Sequence, residues 1–268
     1  MCRWLLLFAA LVIGFDARAA ELRLVTGELP PYCYHQPSPQ VTAIGERLGE
    51  PQGLVYDVVR EMASRVGHSG RIDFMPWIRA QELAQKGPDV GILALTRSPE
   101  REALYRWVAN IYTDDLLVVG GPGVDVSALT NVKDRPIGVL RASGAEQLLQ
   151  NLGFKRIEPR PEDWLNALEL KDRHIDAWLA PRLMILYAYR EVGGDASALN
   201  FGAIVRRSEI FLAMSKDVSD PVVAAWQQAF DQVKADGTFE RILQKYRRAK
   251  AVPLPEAILE AQPFDLGY

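Results

Sequence analysis

Apolar and polar positions alternate along the chain in two successive rounds of strand and helix. "LRLVT" (22–26) reads as a short strand that runs into the turn "GELPPY". From Leu54 the apolar residues fall at 54, 55, 58, 59, 62, 63 and 66, a helical stripe with Gly67 just past its end. "RIDFMP" alternates as a strand, "WIRAQELAQKG" returns to helical spacing, and "DVGILALT" is a continuous apolar run suited to a strand buried on both faces. The second round repeats the order. "IGVL" (137–140), "RIEP" and "IDAWLA" read as strands, and "GAEQLLQNLG", "EDWLNALELKD" and "RLMILYAYREVG" as helices. Strands alternating with helices predict α/β lobes, each a mostly parallel sheet covered by helices.

Between the rounds lies a strand-like run, "YTDDLLVVGG" (112–121), and a matching run, "SEIFLAMS" (208–215), follows the second. The chain therefore crosses twice between lobes, and two lobes on two strands can open and close by hinging. The long helices "DPVVAAWQQAFDQVKADG" and "TFERILQKYRRA" have no strands of their own to cover, so they are expected to pack back on the first lobe. The expected divisions are a leader at 1–19, a first lobe at 20–113 plus 214–250, a second lobe at 118–208 and a tail at 251–268, Pro-rich and irregular, with no assigned role.

The start of the chain changes the compartment. Arg3, an apolar run from Trp4 to Phe15 and the small-residue pattern Ala17, Arg18, Ala19 predict a secretory signal peptide cleaved after Ala19. A membrane anchor is the competing reading, but about a dozen apolar residues fall short of the roughly 20 that cross a bilayer. Cys2 lies too far from the small-residue site to become a lipid-modified first residue. The expected mature protein is exported to the periplasm.

Of 268 residues, 49% are apolar and 24% charged, ordinary globular material that can make one large or two medium domains. Removing the leader leaves 29 basic and 33 acidic residues, a charge of about −4, and no basic stripe argues for nucleic acid. Cys33 alone remains, which rules out an internal disulfide, so stability must come from packed cores. His35, His68 and His174 show no ligand spacing and read as surface or loop residues; neither metal nor cofactor is expected.

In "LALTRSPERE" an apolar strand ends in Thr96 and Arg101 follows five residues later. A guanidinium offers a planar fork for two carboxylate oxygens, and a strand-to-helix turn adds backbone N–H donors. The plainer reading makes Ser98 a helix cap, Pro99 the first position and Arg101 a solvated side chain, with Arg97 its solvated neighbour.

The leader, the two lobes with a double crossover, "ELPPY", "GLVYDVV", "PW" before a helix, and "LTRSPERE" followed by "ANIY" together resemble the extracellular solute-binding proteins of family 3, over about residues 22–250. The resemblance implies a type II periplasmic-binding-protein fold, a monomer that captures a small anionic or zwitterionic solute for a membrane permease of an ABC transporter. It also implies that Thr96 and Arg101 hold the ligand's carboxylate and that Glu28, Tyr32 and Trp77 border the cleft, the aromatic faces suited to an apolar or cationic group. Core plugging is the plainer role for Tyr32 and Trp77; Tyr34, Tyr105 and Trp107 are read as structural. On the second lobe "LRASGAEQL" resembles the family's Gly-rich turn, with backbone donors at Ser143, Gly144 and Ala145 and with Arg141 lining the cleft, although Gly there is also ordinary turn chemistry.

One position departs from the family. Its amino-acid receptors end the strand matching "IDAWLAPR" in an Asp for the ligand's ammonium, and the aligned residue here is Ala180, while Asp176 reads as a structural acid. A buried ammonium without a partner costs on the order of several kcal/mol. Glu28 is the acid expected to replace it, or the ligand lacks that ammonium. Two other classes stay open: a sensory ligand-binding protein, and an enzyme on this scaffold similar to the family's dehydratases, for which Glu28 is the candidate acid or base.

Overall fold

The computed structural model describes residues 21–36 and 49–250; the expected leader and tail lie outside them. An eight-stranded sheet runs through the whole molecule. Its first flank is built from β1 (Arg23–Thr26), β4 (Ile72–Phe74) and β5 (Val90–Thr96), paired in parallel. Its far flank is β7 (Ile137–Leu140), β8 (Ile157–Arg160) and β9 (Ala177–Pro181), again parallel. Two 15-residue strands join them, β6 (Arg106–Gly120) and β10 (Asn200–Met214), antiparallel to each other and to their neighbours β9 and β5. The order is β4-β1-β5-β10-β6-β9-β7-β8, and a separate two-stranded piece pairs β2 (Tyr34–His35) with β3 (Pro51–Gln52).

The flanks match the sequence expectation closely: β5, β7 and β9 are almost wholly apolar, and the helices that cover the flanks fall where the helical spacing places them. The crossover strands do not. They begin at Arg106 and Asn200, six and eight residues before the apolar runs at 112 and 208. Arg106, Arg206, Arg207 and Glu209 lie within them, and the pairing slips register between Phe201 and Ile204 and again between Ile204 and Arg206. Such irregular ribbons lack the strict period of two that marks a strand in sequence.

Helices α1 (Leu54–Arg65) and α2 (Trp77–Lys86) cover the first flank, and α3 (Gly144–Asn151), α4 (Asp163–Lys171) and α5 (Arg182–Glu191) the second. The last helices, α6 (Asp220–Ala235) and α7 (Thr238–Lys250), pack on α1 as expected: Trp226, Phe230, Val233 and Leu243 share a core with Val55, Val59 and Met62. The second flank has two cores, one on each face of its sheet, around Leu149 with Ile137 and around Trp178 with Ile185. Two lobes therefore meet along one continuous sheet.

The start of α1 fixes the first loop. Val55 and Tyr56 both donate to the Tyr32 carbonyl at 3.0 Å, and Gly53 has φ 141°. A Cβ at Gly53 would lie 2.1 Å from that carbonyl oxygen, so only glycine lets the loop come this close. The histidines sit in loops or at a strand end, yet the half-buried His68 turns its side chain inward, 6% exposed, with Nε2 2.6 Å from the Leu22 carbonyl and the ring against Trp226. Asp176 pairs with Arg135 at 3.2 Å, a structural contact.

Candidate functional site

The C-terminal ends of the parallel strands converge on a cavity between the lobes, of about 560 Å³ with its open mouth included. Tyr32, Trp77, Ala94, Thr96 and Arg101 line it from the first lobe; Leu116, Arg206 and Ser208 from the crossover strands; Ser143, Gly144, Ala145, Asp163, Ala180, Pro181 and Met184 from the second. This is where open parallel sheets place their ligands, outside the carboxyl ends of the strands.

After Thr96 the chain makes one 3₁₀ turn, Pro99–Arg101, closed by Arg101 N–H donating to the Ser98 carbonyl at 3.0 Å. That turn folds Arg101 back over the end of β5. Its Nη1 donates to the Thr96 carbonyl at 3.2 Å, and its Nη2 donates to Gln81 Oε1 at 2.8 Å and, across the cleft, to the Ala142 carbonyl at 2.9 Å. Gln81 Nε2 reaches the same carbonyl at 3.1 Å. The head group is thus held in the cleft and is not solvated. Burial pushes its pKa down, Tyr105 opposes that, and the nearby Arg206 adds to the fall; arginine remains a cation throughout. Arg97 turns the other way, forking onto Glu102 at 2.8 and 2.6 Å and lying 5.5 Å from the Trp107 and Phe211 rings.

The facing turn is built by reciprocal capping. Ser143 Oγ accepts from Glu146 N–H at 3.1 Å, and Glu146 Oε2 accepts from Ala142 N–H at 2.5 Å. Ala142 takes φ 57°, and its carbonyl is the one that Arg101 and Gln81 share. The first N–H groups of α3 have no partner within the helix, and they carry the positive end of its dipole. Arg206 meets the same place: Nη2 donates to the Gly144 carbonyl at 3.5 Å. A methyl at Gly144 would stand 3.1 Å from Arg206 Nη2 and 3.8 Å from Arg101 Nη1. Two guanidinium groups and a helix N-terminus therefore converge, an arrangement matched to an anion.

The remaining expected residues divide. Tyr32 and Trp77 present aromatic surface to the cavity and are also buried against the first lobe. The Tyr32 hydroxyl donates to Asp114 Oδ2 at 2.5 Å, and Leu183 N–H donates to the same oxygen at 2.9 Å. Burial, then Asp114, raise the Tyr32 pKa, and burial raises that of Asp114 against its hydrogen bonds. Asp114 thereby ties the first loop to α5 through the crossover. Glu28 and Arg141 are not among the lining residues. Glu28 Oε1 lies 2.5 Å from His35 Nδ1 and Oε2 accepts from His35 N–H at 3.1 Å, so both oxygens close the first loop. Arg141 Nη2 donates to the Pro159 carbonyl at 3.3 Å on the outer side. Ala180 does line the cavity, followed by Pro181, and neither offers a carboxylate.

Arg206, Gln81 and Asp163 are polar lining or orienting residues absent from the sequence expectation, as are Ser208 and apolar lining residues such as Leu116 and Met184. Arg206 lay in the unread first half of β10; Gln81 sits on the α2 face turned to Arg101, one turn past Trp77. Asp163 falls in the first turn of a predicted helix, the commonest place for an acid. It is 4% exposed, and burial carries its pKa from 3.8 to about 7, with Asn166 and Trp178 drawing it down and Glu162 raising it.

A model of the bacterial extracellular solute-binding proteins, family 3, matches residues 25–249. Among solved structures, a substrate-binding protein of an ABC uptake transporter from Streptococcus pneumoniae with bound histidine is 16% identical, with a TM-score of 0.71 over 84% of this chain and 92% of that one. A histidine kinase sensor domain with similarity to periplasmic binding proteins is 15% identical, TM-score 0.72, over 84% and 96%. The GluR0 ligand-binding core from Nostoc punctiforme in complex with L-glutamate is 16% identical, TM-score 0.70, over 84% and 98%. No curated protein sequence gives a match. At these identities the structures show a shared type II fold.

Proposed function

We propose that this chain, which belongs to the bacterial extracellular solute-binding proteins of family 3, captures a small solute with an anionic end between its lobes and hands it to the permease of an ABC transporter. The observation that carries the reading is the convergence of Arg101, Arg206 and the α3 N-terminus on one interlobe cavity. Trp77 and Tyr32 form walls for the rest of the ligand. The protein acts in the periplasm as a monomer, with lobes at 20–113 plus 214–250 and 118–208 that close by bending β6 and β10. Among the described residues no helix is long and apolar enough to cross a membrane. The solute leaves chemically unchanged.

Native mass spectrometry of protein purified from its source should reveal a bound small acid. Titration of that acid should show Arg101→Ala weakening binding by about 2–5 kcal/mol, the range for truncating a buried charge pair. An unchanged dissociation constant would remove Arg101 from the site. A second reading, a sensory module that reports the bound state to a membrane receptor, is favoured by the likeness to a kinase sensor domain. Affinity capture on the purified permease, with and without solute, separates the two.

A further inference from the structure

We infer that Asp163 is the acceptor for the ligand's amine, taking the place of the carboxylate that Ala180 and Pro181 do not supply. The inference rests on the capture reading above and adds the second pole of the ligand. Asp163 opens α4, lines the interlobe cavity and is 4% exposed. Its Oδ1 accepts from Asn166 Nδ2 at 3.4 Å, a long and weak contact, while its buried Oδ2 has no hydrogen-bond partner. One turn along the helix, Asn166 Oδ1 also lacks a donor. Asp163 thus brings to the cavity wall a buried acceptor oxygen short of N–H groups, while Asn166 Oδ1 lies behind it against Gly138 of β7. A buried acceptor left unmade costs about 1–3 kcal/mol, so a group that arrives with donors recovers that amount on binding. An ammonium is such a group, with three donors and no acceptor.

The other acids near the cleft do not fit as well. Glu28, the acid expected from sequence, spends both oxygens on His35 and does not line the cavity. Asp114 is saturated by Tyr32, Leu183 and Asp115. Trp178 Nε1 approaches Asp163 and draws its pKa down, yet it makes no hydrogen bond of normal geometry, so it is the one protein donor with which an amine would compete. With Arg101 and Arg206 at one end and Asp163 in the second lobe, the cavity has opposite poles, which selects a zwitterion over a plain acid.

The charged surroundings set the pH behaviour. Glu162 precedes Asp163; β8 carries Glu158 and Arg160, with Arg160 paired to both Glu158 and Glu169 of α4; α5 carries Arg182, Arg190 and Glu191; β7 and β9 add no charge; Arg101 and Arg206 line the same cavity. With its pKa at about 7, free Asp163 is half protonated near neutrality, and an ammonium prefers the ionised form. Affinity for an amine should therefore rise as pH climbs to 7 and level off above it.

The test uses matched probes that differ in the amine alone: L-alanine and pyruvate, L-glutamate and 2-oxoglutarate, L-phenylalanine and phenylpyruvate. Calorimetric titration is run on the wild-type protein, Asp163→Asn and Arg101→Ala, at pH 6 and pH 8. At least one amino acid should bind the wild type, more tightly at pH 8, and its oxo acid should bind about tenfold or more weakly. Asp163→Asn should lose about tenfold or more for the amino acid and little for the oxo acid, as removal of one charge-assisted contact predicts. Asn is nearly the same shape, and the melting temperature of the free variant reports its fold; the wild-type pH dependence gives a readout that needs no variant. Amino-acid binding that depends on Arg101 and is indifferent to Asp163→Asn and to pH would overturn this inference alone. A panel in which nothing binds, or in which Arg101→Ala changes nothing, would overturn the capture reading and this inference with it.

Discussion

At the scale of single residues, the site is governed by what each side chain has left to offer after its own fold has used it. Glu28 and Arg141 have the charge that a ligand would want, but His35 already takes both Glu28 oxygens, and the exposed Arg141 reaches the Pro159 carbonyl and does not line the cavity. Arg101 is shared between both roles: three protein acceptors orient it, and it still faces the cavity with Arg206. Asp163 has the opposite history, a buried acid that the fold leaves short of donors. This has a consequence for stability. A carboxyl whose pKa rises from 3.8 to about 7 on folding binds protons more strongly in the folded state. Its stabilising contribution is present at low pH and is lost as pH rises through about 7. Asp163→Asn, which carries no charge to desolvate, should therefore melt above the wild type at pH 8, with the gap closing toward pH 4. The bound on the effect is about 1.4 kcal/mol for each pH unit in that window. A thermal melt series from pH 4 to 8 in the free protein checks the sign; a gap that widens toward acid would contradict the assignment.

Elements show which parts of the molecule were readable and which were not. Helices α1 and α2 are legible because one clean period runs through each, strand β5 because it is an unbroken apolar run, and the turn after Thr96 because Ser98 and Pro99 mark a helical start. β6 and β10 were only half visible. They bridge two lobes, so their outward positions carry arginines and acids, and their register slips hide the alternation. Arg206 went unread for that reason. Asp163 went unread because an acid at the first helical position is ordinary, and only the tertiary packing that buries it makes it unusual. The first loop depends on the α1 start in a way sequence cannot show. Gly53→Ala should cost about 2 kcal/mol or more, since its φ of 141° and a Cβ 2.1 Å from the Tyr32 oxygen force the loop away from the helix. Gly67→Ala, at φ 72° with open space around it, should cost only about 1–2 kcal/mol from backbone strain. Melting both variants tests the comparison: equal losses would mean that the Tyr32 carbonyl yields easily, and then the Tyr32 wall of the cavity is soft.

For the molecule as a whole, the crossovers and the cleft contacts bear on one motion. Contacts that join the lobes are of two kinds. Asp114, on β6, links Tyr32 of the first lobe to Leu183 of the second beside the crossover, where a bend would disturb it least. Arg101 and Gln81 on the Ala142 carbonyl, and Asn151 Nδ2 on Glu100 Oε1 at 2.9 Å, span the cleft, where opening would break them. A hinge in β6 and β10 would therefore keep the first set and exchange the second for water, a modest difference because each such bond is worth about 1 kcal/mol net. An anion lodged between Arg101, Arg206 and the α3 N-terminus touches both lobes and adds to the closed state alone, so it must shift the population toward closure. Small-angle scattering should then give a smaller radius of gyration for saturated protein than for free protein. Arg101→Ala should abolish the change at the same ligand concentration, because it removes both the anion contact and a bond across the cleft. Superimposable free and saturated profiles would mean that ligand does not close the lobes, whatever its affinity.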